Sequence, residues 1–149
     1  MVYPDLQEMM RSCVLPVMRL SIAAVILLLT GVAHTGEVTD ATLNRLMRTD
    51  RFAFGGVGYA GVISQAEKDY RAVLSRPTAL VDFEQIYAYG NPQAKSYALI
   101  GIRKFNLKRF RELAATLRRN QLEVVSQRGC IILHESLASI LHDIENGRY

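Results

Sequence analysis

The chain has 149 residues, 18 Lys and Arg against 14 Asp and Glu, and two cysteines, Cys13 and Cys130. That length, shortened by the leader described below, supports one domain around a modest core, and a second is not expected. If the N-terminal leader described next is removed, Cys130 alone remains, so no intramolecular disulfide can staple the fold and stability must come from packing, unless Cys130 pairs between chains.

The first element is the run Leu20–Ala33, which is free of charge and preceded by Arg11 and Arg19. A charged start, an apolar middle and the small residues Gly31 and Ala33 at its end make residues 1–33 a cleaved signal peptide, with export to the periplasm or beyond the cell. The leader is long and carries Asp5 and Glu8, so a start at Met9 or Met10 fits it better. The alternative is an uncleaved membrane anchor, disfavoured because a spanning helix needs roughly 20 apolar residues and Arg19 interrupts the run. Cys13 precedes the apolar run, the wrong place for a lipid-modified cysteine.

Residues 34–63 are expected to hold a short N-terminal helix and a glycine-rich loop, and residues 64–149 a helical core in the same domain. Leu43, Leu46 and Met47 have helical spacing behind a cap at Thr39 or Asp40. Gly56-Val57-Gly58-Tyr59-Ala60-Gly61 then matches the glycine fingerprint of dinucleotide-binding folds, with Asp82 21 residues beyond Gly61. That chemistry needs a preceding strand and a following helix N-terminus to hold the phosphate. Arg51–Phe54 is thin for a central strand, and the helical segments downstream supply no parallel sheet. The expectation is therefore no cofactor, and a turning surface segment at Gly56, Gly58, Tyr59 and Gly61 that is also a candidate binding loop.

Ser64-Gln65-Ala66-Glu67 has the spacing of a capping box, followed by Ala66, Tyr70, Val73 and Leu74 on one face. Arg76-Pro77 stops this helix and Thr78 caps the next, where Leu80, Phe83, Ile86 and Tyr87 recur at threes and fours up to Gly90. Asn91-Pro92 begins a third, with Tyr97, Ala98, Gly101 and Phe105 on one face, and Asn106 caps a fourth with Leu107, Phe110, Leu113, Ala114 and Leu117. The last two read as a helical hairpin. No fixed period repeats along the chain, so one helix pair does not make a solenoid.

Charge concentrates on that hairpin. Between residues 103 and 119 stand seven cations and one acid, Glu112, a local balance of +6, while the rest of the chain after residue 33 sums to −2. Lys104, Lys108, Arg109, Arg111 and Arg118 are the candidate partner-binding residues. The ordinary role of such a run is a solvated helix face; its functional role is to steer an acidic partner, either another protein or an anionic envelope component. Nucleic acid is not expected, because the chain reads as exported and only Phe105 and Phe110 interleave the cations.

Val124-Val125 and Cys130–Leu133 flank Ser126-Gln127-Arg128-Gly129, which predicts one short β-hairpin near residues 123–133. Cys130, His134 and Glu135 bring thiol, imidazole and carboxylate together in sequence and are the only catalytic candidates, with no further ligand nearby to complete a metal site. Leu137, Ile140, Leu141 and Ile144, with Gly147 behind, predict a terminal helix. The expected fold is mainly α: a compact bundle or helical-hairpin array of five or six short helices. The expected function is non-catalytic binding of another macromolecule, with an inhibitor or immunity-type adaptor as one concrete case. The alternative is an enzyme or metal-binding protein centred on Cys130 and His134. No nucleophile elbow, zinc-peptidase helix or P-loop supports catalysis.

Overall fold

The computed structural model describes residues 40–149; the predicted signal peptide lies outside the described residues. Helix α1, Ala41–Met47, begins where Asp40 accepts hydrogen bonds from the Thr42 and Leu43 N–H groups at 2.9 and 3.2 Å. Arg76 grips the same carboxylate and holds its pKa below the usual range. Strands β1, Phe52–Val57, and β2, Val62–Ile63, precede α2, Gln65–Leu74. Helices α3, Ala79–Tyr89, α4, Pro92–Phe105, and α5, Leu107–Leu117, follow. Strands β3, Glu123–Gly129, and β4, Ile131–Ser136, lead into α6, Leu137–Glu145.

The helix boundaries follow local chemistry. Ser64 Oγ accepts from the Glu67 N–H at 3.1 Å, Asn91 Oδ1 from Ala94 at 2.9 Å and Asn106 Oδ1 from Arg109 at 2.9 Å, each satisfying a donor the helix leaves open. Two caps depart from expectation. Thr78 makes no side-chain cap and gives its hydroxyl to Asp82 instead. Glu67 does not close the capping box: it takes the Gly55 N–H at 2.8 Å and the guanidinium of Arg71.

The mainly α expectation is overturned. Helices take 56% of the described residues and strands 19%, and the strands form one mixed sheet in the order β2-β1-β3-β4. Its centre is a parallel pair, with Phe52 opposite Ser126 and Ala53 opposite Gln127; the outer pairs are antiparallel. Arg51–Phe54, too thin for a central strand on sequence grounds, supplies that centre.

Side chains make the short strand viable. The two residues of β2 pair only with Gly56 and Val57, so much of β1 has no strand on that side. There the Tyr97 hydroxyl accepts from the Ala53 N–H at 2.9 Å and donates to the Ala53 carbonyl at 2.7 Å, while Glu67 takes Gly55. Buried backbone groups that the sheet leaves open are thereby satisfied. The expected hairpin exists with a different register: Ser126–Arg128 belong to β3, and the turn falls at Gly129-Cys130, where Gly129 has φ +58°.

Partner residues across a sheet share a face, so Phe52, Phe54, Val124 and Ser126 look the same way. Helices α2, α4 and α6 pack on this inner face. Phe52 meets Tyr97 and Tyr149 edge-on at 5.0 Å, and Phe54 meets Tyr70 at 5.2 Å. Around this aromatic centre Leu46, Phe83, Ile86, Leu99, Ile102, Leu137 and Ile140 are fully buried. Among the described residues no helix is long and apolar enough to cross a membrane.

Candidate functional site

On α5, Phe110, Leu113, Ala114 and Leu117 are buried and the cations fall on the opposite side. The five predicted partner-binding cations are not equivalent. Arg109 places Nε 2.9 Å from Glu84 Oε1 and Nη2 3.3 Å from Oε2, clamping α5 to α3, with Glu112 a further 3.5 Å contact. Arg118 pairs with Glu145 of α6 at 2.9 Å. Lys104, Lys108 and Arg111 are exposed and, with Arg119, form no ion pair among the described residues.

A groove of about 560 Å³ lies on this side of the molecule, bordered by Arg103, Leu107, Phe110, Arg111, Arg118 and Glu145; of the unpaired cations only Arg111 reaches it. Arg103 stacks over the Phe110 ring at 6.0 Å from its centroid and donates Nη2 to the Glu145 carbonyl at 3.3 Å. Leu107 is about half exposed at the junction of α4 and α5. The arrangement presents positive charge beside one exposed apolar side chain, Leu107, a combination suited to an acidic surface carrying an apolar anchor.

The glycine segment forms a hairpin. Gly55, Gly58 and Gly61 have positive φ, and a side chain on Gly56 would come within 2.8 Å of the Gly61 carbonyl oxygen across the turn. A strand does lead into the glycines, but the chain returns as antiparallel β2 before α2 begins at Gln65, so no helix opens at the glycines themselves to receive a phosphate. Asp82 lies in the first turn of α3, bonded to Thr78, and not at the strand end a ribose contact requires. Tyr59 stands fully exposed at the tip, and the Gly58 N–H donates to the Gly129 carbonyl at 2.9 Å, tying the two hairpins together.

Cys130, His134 and Glu135 are adjacent in sequence and dispersed in space. Cys130 occupies the exposed hairpin turn. His134 and Glu135 are successive strand residues and point to opposite faces. His134 Nδ1 lies 2.6 Å from Glu123 Oε1 on the outer face, whereas Glu135 bonds Ser126 and lies 3.3 Å from Arg128 on the inner one. No base addresses the thiol in this arrangement, and no group of three metal-ligating side chains occurs among the described residues.

Two further clefts were not foreseen. One, of about 700 Å³, lies beside α1 and the start of α2, where Arg48 and Arg51 flank the Arg45–Asp69 pair. Arg45 holds the buried Asp69 through two bonds of 2.7 and 3.0 Å, so that pair is structural. The other, of about 600 Å³, opens between the inner face of the sheet, α2 and α4, and is lined by Phe54, Tyr70, Leu74, Ile100, Leu107 and Tyr149 with Arg71, Arg103 and Lys104 at its rim. Its residues are spread across nearly the whole described chain, so no local motif marks it.

No protein-family model, no curated protein and no solved structure shows significant similarity to this chain.

Proposed function

We propose that the protein is a non-catalytic binding protein that holds an acidic segment of another protein against the basic face of α4 and α5. One observation carries this reading: Arg109 and Arg118 are neutralised by acids of neighbouring helices, yet Lys104, Lys108, Arg111 and Arg119 beside them are left without a partner among the described residues. Concentrated like charge repels itself within the fold, so it is balanced best by a ligand. Leu107, about half exposed beside these cations, gives such a ligand an apolar side chain to cover, which a phosphate backbone alone would leave wet. Action outside the cytoplasm, suggested by the apolar segment before His34, fits this reading.

An acidic peptide containing leucine, labelled for fluorescence anisotropy, tests it. Binding should weaken steeply with salt, and the Lys108→Glu/Arg111→Glu pair should lose at least about tenfold in affinity, or about 1.4 kcal/mol. Arg109 is unsuitable as the probe because its removal also unpairs Glu84. Tighter binding of a DNA duplex than of the peptide, or no effect of the charge reversals, would refute the assignment.

A further inference from the structure

The cleft beneath the sheet differs in character from the basic face: its walls are mostly aromatic and aliphatic, with the buried Glu67 among them, and its cations stand at the rim. Phe54 comes from β1, Tyr70 and Leu74 from α2, Ile100 from α4 and Leu107 from the start of α5. A volume of about 600 Å³ falls within the range of small-molecule sites. At the rim stand Arg71, Arg103 and Lys104, and the one acidic side chain in the lining is the buried Glu67. That carboxylate is already consumed, one oxygen by the Gly55 N–H at 2.8 Å and the other by Arg71, whose Nε lies at 3.0 Å. Arg103 has only the Glu145 carbonyl and the Phe110 ring, and Lys104 has no ion-pair partner among the described residues. The rim therefore holds two cations with no carboxylate to answer them, directly above aromatic and aliphatic walls.

We infer that this cleft is a binding site for an amphipathic monoanion, a molecule with an apolar chain or ring and a single carboxylate head. The tail would lie against Phe54, Tyr70, Leu74 and Ile100, and the head would meet Arg103 and Lys104. Neither half suffices alone. A bare anion leaves the apolar walls wet, and a neutral hydrocarbon covers the walls but crowds two cations without pairing them. The site does not depend on the acidic-partner reading, although Arg103 and Leu107 line both this cleft and the basic groove, and Lys104 belongs to both surfaces.

Decanoate, kept below its micelle concentration, is the probe, read by amide chemical shifts in two-dimensional NMR. Saturable shifts are expected at Tyr70, Leu74, Ile100 and Lys104, with decanol and acetate each binding at least about tenfold more weakly. Lys104→Glu, an exposed substitution compatible with folding, should lower decanoate affinity by roughly tenfold. Lys108→Glu/Arg111→Glu should leave it within about twofold, which separates this site from the basic face whichever of the two fails. Absence of saturable shifts with decanoate, equal binding of decanol, or shifts that arise only with phosphatidylglycerol vesicles would overturn the inference, the last by assigning the surface to a bilayer.

Discussion

Tyr97 joins two layers with one hydroxyl. Sequence periodicity places it on the apolar face of α4, and it is fully buried there, but its two hydrogen bonds to Ala53 span 44 residues and leave no local trace. Tyr97→Phe keeps the ring but strands the buried Ala53 N–H and leaves the Ala53 carbonyl only the Ser64 hydroxyl at 3.4 Å, which should cost about 1–3 kcal/mol in urea denaturation. The same residue sets an alkaline limit. Burial pushes Tyr97 and Tyr70 up to about 12. An unfolded tyrosine ionises near 10, so their contribution to stability is complete below about pH 10 and falls as pH rises through the folded values. The stability of the native chain should therefore drop between about pH 10 and 12, and Tyr97→Phe should make that drop shallower.

At the scale of elements, what could be read depended on how local the signal was. The starts of α1, α2, α4 and α5 were legible because Asp40, Ser64, Asn91 and Asn106 act within three residues of themselves. Strand β1 was not, since Gly55 and Gly56 erase the alternation that marks a strand and its partner lies on β3. Within the helical layer, Gly101 turned out to sit where α4 crosses α3, and a Cβ there would penetrate the Phe83 ring. Gly101→Ala should cost about 1–3 kcal/mol despite the better helix propensity of alanine, and its thermal midpoint should fall accordingly. A gain in stability would mean that the two helices can separate without loss.

Across the whole molecule, the candidate surfaces were partly legible. The basic run was visible in sequence, but which cations stay unpaired was not, because Glu84 and Glu145 reach Arg109 and Arg118 from other helices. The Cys130–His134–Glu135 grouping was dissolved because Cys130 falls in the turn before β4, while strand alternation sends His134 and Glu135 to opposite faces. The sheet also makes the fold indivisible. A chain ended at Asn120 keeps five of the six described helices but loses β3, β4 and α6, leaving Phe52 and Phe54 without their neighbouring strand. It should show no cooperative thermal transition and should bind a hydrophobic dye.

The parallel pairing of Phe52 with Ser126 also sets a timetable. During synthesis at about 5–20 residues per second, β1 emerges roughly 4–15 seconds before the strand that completes it. Through that interval one edge of a phenylalanine-bearing strand is open to any other extended chain. Yield in a cell should therefore respond to elongation rate and to chaperones that shield exposed strands, even while the finished domain is stable.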